Sequence, residues 1–240
     1  MIPAVPKKIF LTAHWRQLAM LNYEADPALL QPWLPAGTEL DLWDGKALVS
    51  LVGFLFLNTR VWRMAFPFHR NFEEVNLRFY VRRQAEDGWR RGVVFIKEIV
   101  PRAAIAYAAR KFYHENYVCL PMAHALTAHS AEYSWRFNGR QNRIKVITQG
   151  EPRELVSGSE AEFITEHYWG YSRQPDGATM EYKVEHPRWN VGSAVETELD
   201  CDVAGLYGDS FKETICGKPR SAFLAEGSPV TVYCGVRLRM

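Results

Sequence analysis

The sequence predicts one continuous domain, residues 1–240, that is mainly β with a few helices. Three observations carry this expectation. Asp-Gly or Asn-Gly pairs stand at Asp44-Gly45, Asp87-Gly88, Asn138-Gly139 and Asp176-Gly177, and such pairs between apolar runs are strong hairpin signals. Residues 72–82 alternate with period two, placing Val75, Leu77, Phe79 and Val81 on one face and Glu74, Asn76, Arg78 and Tyr80 on the other. One alanine-rich segment alone reads clearly as a longer helix. No internal repeat or low-complexity linker divides the chain. Successive hairpins therefore argue for a meander of mainly antiparallel strands.

Along the chain, Asp26 can cap a short helix that has Pro27 at its first position, with Pro32 and Pro35 limiting its length. Asp44-Gly45 then joins residues 40–43 to a strand over 46–57. That strand is apolar on both faces and so belongs in the middle of a sheet. Residues 72–82 and 90–100 form the next hairpin. Its alternation fits either a sheet with one wet face or a polar wall turned toward a cavity. A helix begins near Pro101 and runs toward Tyr113; it carries no charge between Ala103 and Ala109, so these turns are expected to be buried on more than one side. The last clear strand spans 230–238, while 163–171 and 186–189 mix strand-forming aromatics with loop residues.

The polar residues gather in a few places. Glu74 and Arg78 sit on one strand face, where they can pair with each other or hold a carboxylate ligand. Lys97 and Glu98 point to opposite faces of the next strand, and the register that decides which shares Glu74's face is open. A buried lysine is a Schiff-base candidate, but a surface strand position is the simpler account of Lys97. Residues 163–171 and 182–189 each contain a Glu-His pair beside aromatic rings. Neighbours on a strand point apart, so Glu166 and His167 need a turn or bulge to serve one site, and a hydrogen-bond network at a strand end outweighs a catalytic pair. The pairs Arg82-Arg83 and Arg90-Arg91 bracket a hairpin turn and read as a solvated tip, with anion binding secondary.

Composition limits the function. Lys plus Arg is 29 against 27 for Asp plus Glu, a formal charge of +2, which gives no field to gather nucleic acid. The opening residues, with Pro3, Pro6 and a Lys pair, lack a secretory apolar core, and no stretch approaches the roughly 18 apolar residues of a membrane span. Cys119, Cys201, Cys216 and Cys234 are scattered, as expected of unbridged thiols. A cytoplasmic protein with no membrane and no nucleic-acid partner follows. No HExxH, zinc-type cysteine spacing, GxGxxG or P-loop is present, so no metal and no cofactor are expected. The aromatic supply, 13% of the chain, suits a large core or an aromatic-lined pocket.

The strings FEEVNLRFYVRR at 72–83, RRGVVFIKEIVPR at 90–102, FITEHYWGY at 163–171 and EYKVEHPRWN at 181–190 resemble the uncharacterised YqjF-like family. The likeness extends to the opening FLTAHWRQLAMLNYEADPALLQPWLPAGTELDLWDGK and runs nearly the full length. It implies a fold similar to acetoacetate decarboxylase: an antiparallel cone-shaped barrel or strongly curved sheet around a pocket. The resemblance places Glu74 at an acidic site position and Arg110 at the arginine preceding the decarboxylases' lysine pair. Tyr117 and Val118 then stand in place of those lysines. A tyrosine cannot form the iminium through which a lysine decarboxylates a β-keto acid, so the resemblance carries a pocket without that reaction.

The expected lining groups are Glu74, Asn76, Arg78, Arg110, His114, Glu115, Tyr117, His167 and His186, with Lys97 and Lys111 undecided. The leading expectation is a pocket for a small organic ligand, for which an arginine can fix a carboxylate. A lyase or other acid–base enzyme is one alternative. A structural scaffold forming a homo-oligomer is another.

Overall fold

The computed structural model describes residues 8–238; the expectations drawn from Pro3, Pro6 and Lys7 fall outside these residues. In chain order the elements are β1 (Ile9–Ala25), α1 (Pro27–Leu30), β2 (Glu39–Leu40), β3 (Ala47–Val61), β4 (Phe72–Ala85), β5 (Gly88–Val100), α2 (Ala103–Tyr113), β6 (Tyr117–Cys119) and β7 (Met122–Leu126). There follow β8 (Ser130–Phe137), β9 (Arg140–Thr148), α3 (Glu160–Thr165), β10 (Trp169–Arg173), β11 (Thr179–Glu185), β12 (Val191–Asp200), α4 (Val203–Tyr207), α5 (Lys212–Ile215), β13 (Ser221–Tyr233) and β14 (Val236–Leu238). The protein is thus mostly β, built on one large mixed sheet.

The order β11-β10-β5-β4-β3-β1-β13 returns to β11, because β13 also pairs with β11 at Val184↔Val232 and Glu185↔Thr231. Few residues make this closure, and β10 meets β5 in parallel only at Trp169↔Gly92 and Gly170↔Val93. The result is a strongly curved sheet, not an evenly staggered barrel. Beyond β13 the sheet continues through β12, β9, β8 and β7, which cover the outside of the curve.

Each strand of the curve separates two environments. On β4, Val75, Leu77, Phe79 and Val81 pack outward with Tyr133 and Trp135 of β8, Ile144 and Val146 of β9, and Ile215 of α5. The alternate residues Glu74, Asn76 and Arg78 face inward and line a cavity. The period-two pattern is therefore a core face backed by a polar inner wall. β3 lies between β1 and β4 and is buried on both faces, which accounts for its continuous apolar run. Gly53 interrupts that run because the ring of Tyr133 lies against it; a Cβ there would meet Tyr133 Cδ2 at 2.6 Å.

Asp26 caps α1, accepting from the Ala28 N–H at 2.8 Å, with Pro27 at the first position. The Asp44-Gly45 turn is smaller than the expected hairpin: Trp43 and Lys46 form an isolated bridge, and β2 pairs with β4, not β3. The expected last strand is two strands, parted after Tyr233. Helix α2 corrects an expectation more fully. Only Ala106 and Tyr113 are buried, while Ala103, Ala104 and Tyr107 are exposed. Alanine lets the helix lie close over the cavity opening, so its uncharged turns reflect one covered face and not burial all round.

Candidate functional site

The cavity inside the curve has a volume of about 390 Å³. Trp15, Phe54, Phe56, Phe72, Phe95 and Trp189 supply apolar wall, with the Phe56 and Phe72 rings stacked at 4.7 Å. Helix α2 contributes Ile105, Ala108, Ala109 and Phe112, and the β3–β4 connection contributes Trp62 and Phe66. Trp62, Phe66 and Phe112 are also exposed, so they mark the mouth.

The polar end is built by three neighbouring strands. β4 supplies Glu74, Asn76 and Arg78. β5 supplies Glu98, directly opposite Asn76, and β6 supplies Tyr117, opposite Glu98. This register answers the question the sequence left open: Glu98 joins Glu74's face, while Lys97 faces outward and donates to the Leu206 carbonyl. Asn76 Nδ2 donates to Glu74 Oε1 at 3.0 Å, and Tyr117 Oη donates to Glu74 Oε2 at 3.1 Å. Glu115 enters from the turn between α2 and β6 and accepts from Tyr182 Oη at 2.5 Å.

The electrostatics are unusual. Burial raises Glu74 to about 7, although Asn76, Tyr117 and the Arg78 charge oppose the rise. Burial likewise lifts Glu115 to about 8, with Glu74 adding repulsion against the Tyr182 hydrogen bond. Glu98 is pushed well above the carboxylate range by burial, then by Glu115 and Glu74. Near neutral pH these carboxyls share protons as a coupled group. Glu98 Oε2, Asn76 Oδ1 and Arg78 Nε are buried without a hydrogen-bond partner. Glu74 and Arg78 thus interact through charge and do not form the bidentate pair that one strand face allows.

A second polar cluster adjoins the cavity. His167 Nε2 meets Asp41 Oδ2 at 3.0 Å, and Arg91 Nε donates to the same oxygen at 2.6 Å. Burial lowers His167 to about 4, so the ring is neutral and Nε2–H donates to Asp41; its buried Nδ1 then has no partner. Burial raises Asp41, but the bonds from His167 and Arg91 outweigh it and hold the carboxyl low. Glu166 instead accepts from Tyr168 Oη at 2.6 Å, so it and His167 serve different partners. His186 also lines the cavity, stacked on Trp189 at 4.2 Å, and burial lowers its pKa.

Of the expected lining residues, Glu74, Asn76, Arg78, Glu115, Tyr117, His167 and His186 meet at the cavity. Arg110 and His114 do not: both are exposed, because they fall on the outer side of the last turn of α2 and its left-handed cap, where His114 has φ 53°. Lys111 is exposed over the Tyr107 ring, and no lysine is among the described lining residues. Of the arginine pairs only Arg82 fits a solvated tip, in an exposed pair; the other three reach buried carboxylates. Arg83 and Arg90 both bind Glu181, Arg91 binds Asp41, and Arg82 binds Glu39. Sequence reasoning missed Tyr182, which the EYKVEHPRW string contains, and left Glu98 to the register. Among the described residues no group of three or more His, Cys, Asp or Glu side chains is arranged to hold a metal, and no helix is long and apolar enough to cross a membrane.

The fold is similar to that of acetoacetate decarboxylase. It superposes on acetoacetate decarboxylase from Legionella pneumophila with a TM-score of 0.68 and 14% identity, covering 99% of this chain and 92% of that one. An acetoacetate decarboxylase-like enzyme from Sphingomonas wittichii RW1 gives 0.67 and 13%, covering 100% and 97%. The enduracididine biosynthesis enzyme MppR in complex with pyruvate gives 0.66 and 12%, covering 99% and 93%. In sequence, the chain belongs to the DUF2071 family of uncharacterised conserved proteins, whose model matches residues 12–229. The YqjF protein of Bacillus subtilis strain 168, also uncharacterised, is 24% identical over 219 residues, covering 88% of this chain and 87% of its own length.

Proposed function

We propose that this protein, acting as one domain, binds a small organic molecule in the internal cavity, with an apolar body against the aromatic wall and a polar group at the Glu74–Glu98–Glu115 end. The observation that carries this reading is a largely apolar cavity whose glutamate-bearing end holds three buried polar atoms without partners, Glu98 Oε2, Asn76 Oδ1 and Arg78 Nε. A structural network would satisfy those atoms internally; a binding site leaves them for a ligand. A fold neighbour complexed with pyruvate supports a small-molecule role. The four unpaired cysteines suit a cytoplasmic setting.

The test is a fragment soak of the crystalline protein beside an Ala108→Trp variant, since Ala108 lines the cavity on α2. Fragments are expected in the cavity of the parent protein and absent from the variant. Failure of every fragment to enter, or equal occupancy in Ala108→Trp, would remove the pocket reading.

A second reading, an acid–base enzyme, is favoured by Glu74, whose proton affinity is raised to about 7 while Asn76 and Tyr117 fix its orientation. In this reading Glu74 gives and takes the proton. Imine chemistry is disfavoured because none of the described lining residues is a lysine. Borohydride added with pyruvate or acetoacetate is expected to leave the intact mass unchanged, and a trapped adduct on Lys97 or Lys111 would reverse that expectation.

A further inference from the structure

We infer that the polar group recognised at the acidic end is a protonated amine, carried on an apolar body small enough for the cavity. This rests on the ligand-binding reading above and names the ligand's class.

Asn76 Oδ1 is an acceptor, and Glu98 Oε2 becomes one once the carboxyl has given up its proton. Asn76 and Glu98 are directly opposed on β4 and β5, each 1% exposed, and their Oδ1 and Oε2 atoms have no donor. Glu115 and Glu74 already accept from Tyr182, Tyr117 and Asn76, and each carboxyl retains further lone pairs. An ammonium carries three N–H donors and no acceptor. It can reach Glu98 Oε2, Asn76 Oδ1 and a neighbouring glutamate oxygen together, in charge-assisted bonds strengthened by the apolar surroundings.

Charge points the same way. Three glutamates line this end, and Arg78 is the one Lys or Arg side chain among the described lining residues. An anionic ligand would add repulsion to the burial that already holds protons on Glu98 and Glu115; a cation offsets both. A neutral carboxyl that meets the ammonium gives its proton to solvent and becomes the carboxylate of an ion pair, so amine binding releases protons. Arg78 Nε is the partnerless donor on the strand that carries Glu74 and Asn76, and it would favour a carboxylate ligand instead; Trp15 Nε1 and Thr59 Oγ1 are further partnerless lining atoms able to donate.

The experiment compares matched ligands by titration calorimetry at pH 7: 2-phenylethylamine, 2-phenylethanol and phenylacetate, then octylamine, octanol and octanoate. Within a series the amine is expected to bind at least tenfold more tightly than the alcohol. Its enthalpy should differ between phosphate and Tris buffers through the released proton. Glu98→Gln is expected to weaken the amine tenfold or more and the alcohol less than twofold, with Asn76→Leu as the second variant if Glu98→Gln does not fold. If the alcohol or the carboxylate binds better than the amine, the amine inference falls and the pocket reading stands. If no member of either series binds, both fall.

Discussion

Two buried glutamates on neighbouring parts of this sheet meet opposite fates. Glu181 on β11 is 4% exposed and is held by Arg83 Nε at 2.7 Å, Arg90 Nη1 at 2.6 Å and Tyr171 Oη at 3.0 Å. Glu98 on β5 is 1% exposed, faces two other carboxyls and leaves one oxygen without a partner. Burial is common to both, so burial alone does not single out a candidate site. Compensation does: the first network closes on itself, and the second stays open toward a cavity.

The largest effect should come from opening the closed network. Replacing both Arg83 and Arg90 by alanine strands Glu181, and breaking a buried ion pair in this way costs about 3–5 kcal/mol. Urea denaturation would measure it, and a loss under about 1 kcal/mol would put Glu181 in the same class as Glu98.

A middle-sized effect links packing to the open cluster. Gly170 on β10 lies under the ring of Tyr182, where a Cβ would collide with the ring carbons and hydroxyl. Gly170→Ala is expected to cost about 1–3 kcal/mol by overpacking. It should also push Tyr182 away from Glu115, raising the Glu115 pKa further, which carboxyl-carbon NMR titration can follow.

The smallest effect at mild acidity grows with pH. Glu74 and Glu115 have folded-state values of about 7 and 8, above the ordinary 4.5, so the unfolded chain gives up these protons first. Their neutral forms stabilise the fold fully below about pH 4.5, and that contribution is lost as pH rises through 7 to 8. Tm should therefore decline from pH 6 to 8.5. A Glu74→Gln, Glu98→Gln, Glu115→Gln protein should differ from the parent by less than about 1 kcal/mol at pH 5 and show a flatter decline. An equal slope in the two proteins would place the titrating groups elsewhere.

Much of this was legible in the residues. The period-two pattern of 72–82 separated the core face from the polar face, because one side-chain period fits one strand face, but left open whether the polar face met water or a cavity. The doubly apolar run of β3 announced a central strand. Register was not legible: whether Lys97 or Glu98 turned inward depended on a shift between β4 and β5 after Leu77, which no local pattern encodes. Helix α2 misled for a related reason, since uncharged alanine serves a covered face and an exposed one equally well. Arg110 was placed by likeness to a family motif, and the last turn of that helix carries it, with the capping His114, to solvent. Partner choice was also hidden, as Asp41 and His167 are joined only when distant segments meet.

The pairing of β1 with β13, which joins Ile9 to Tyr233, has a consequence for how the chain is made. At synthesis rates of about 5–20 residues per second, β1 waits on the order of 10–40 s for its second neighbour to emerge. During that interval β3 can occupy one of its edges while the other stays open to unrelated strands. Contacts so distant in sequence also slow folding itself. Until β13 has left the ribosome, the second edge of β1 therefore stays available for pairing.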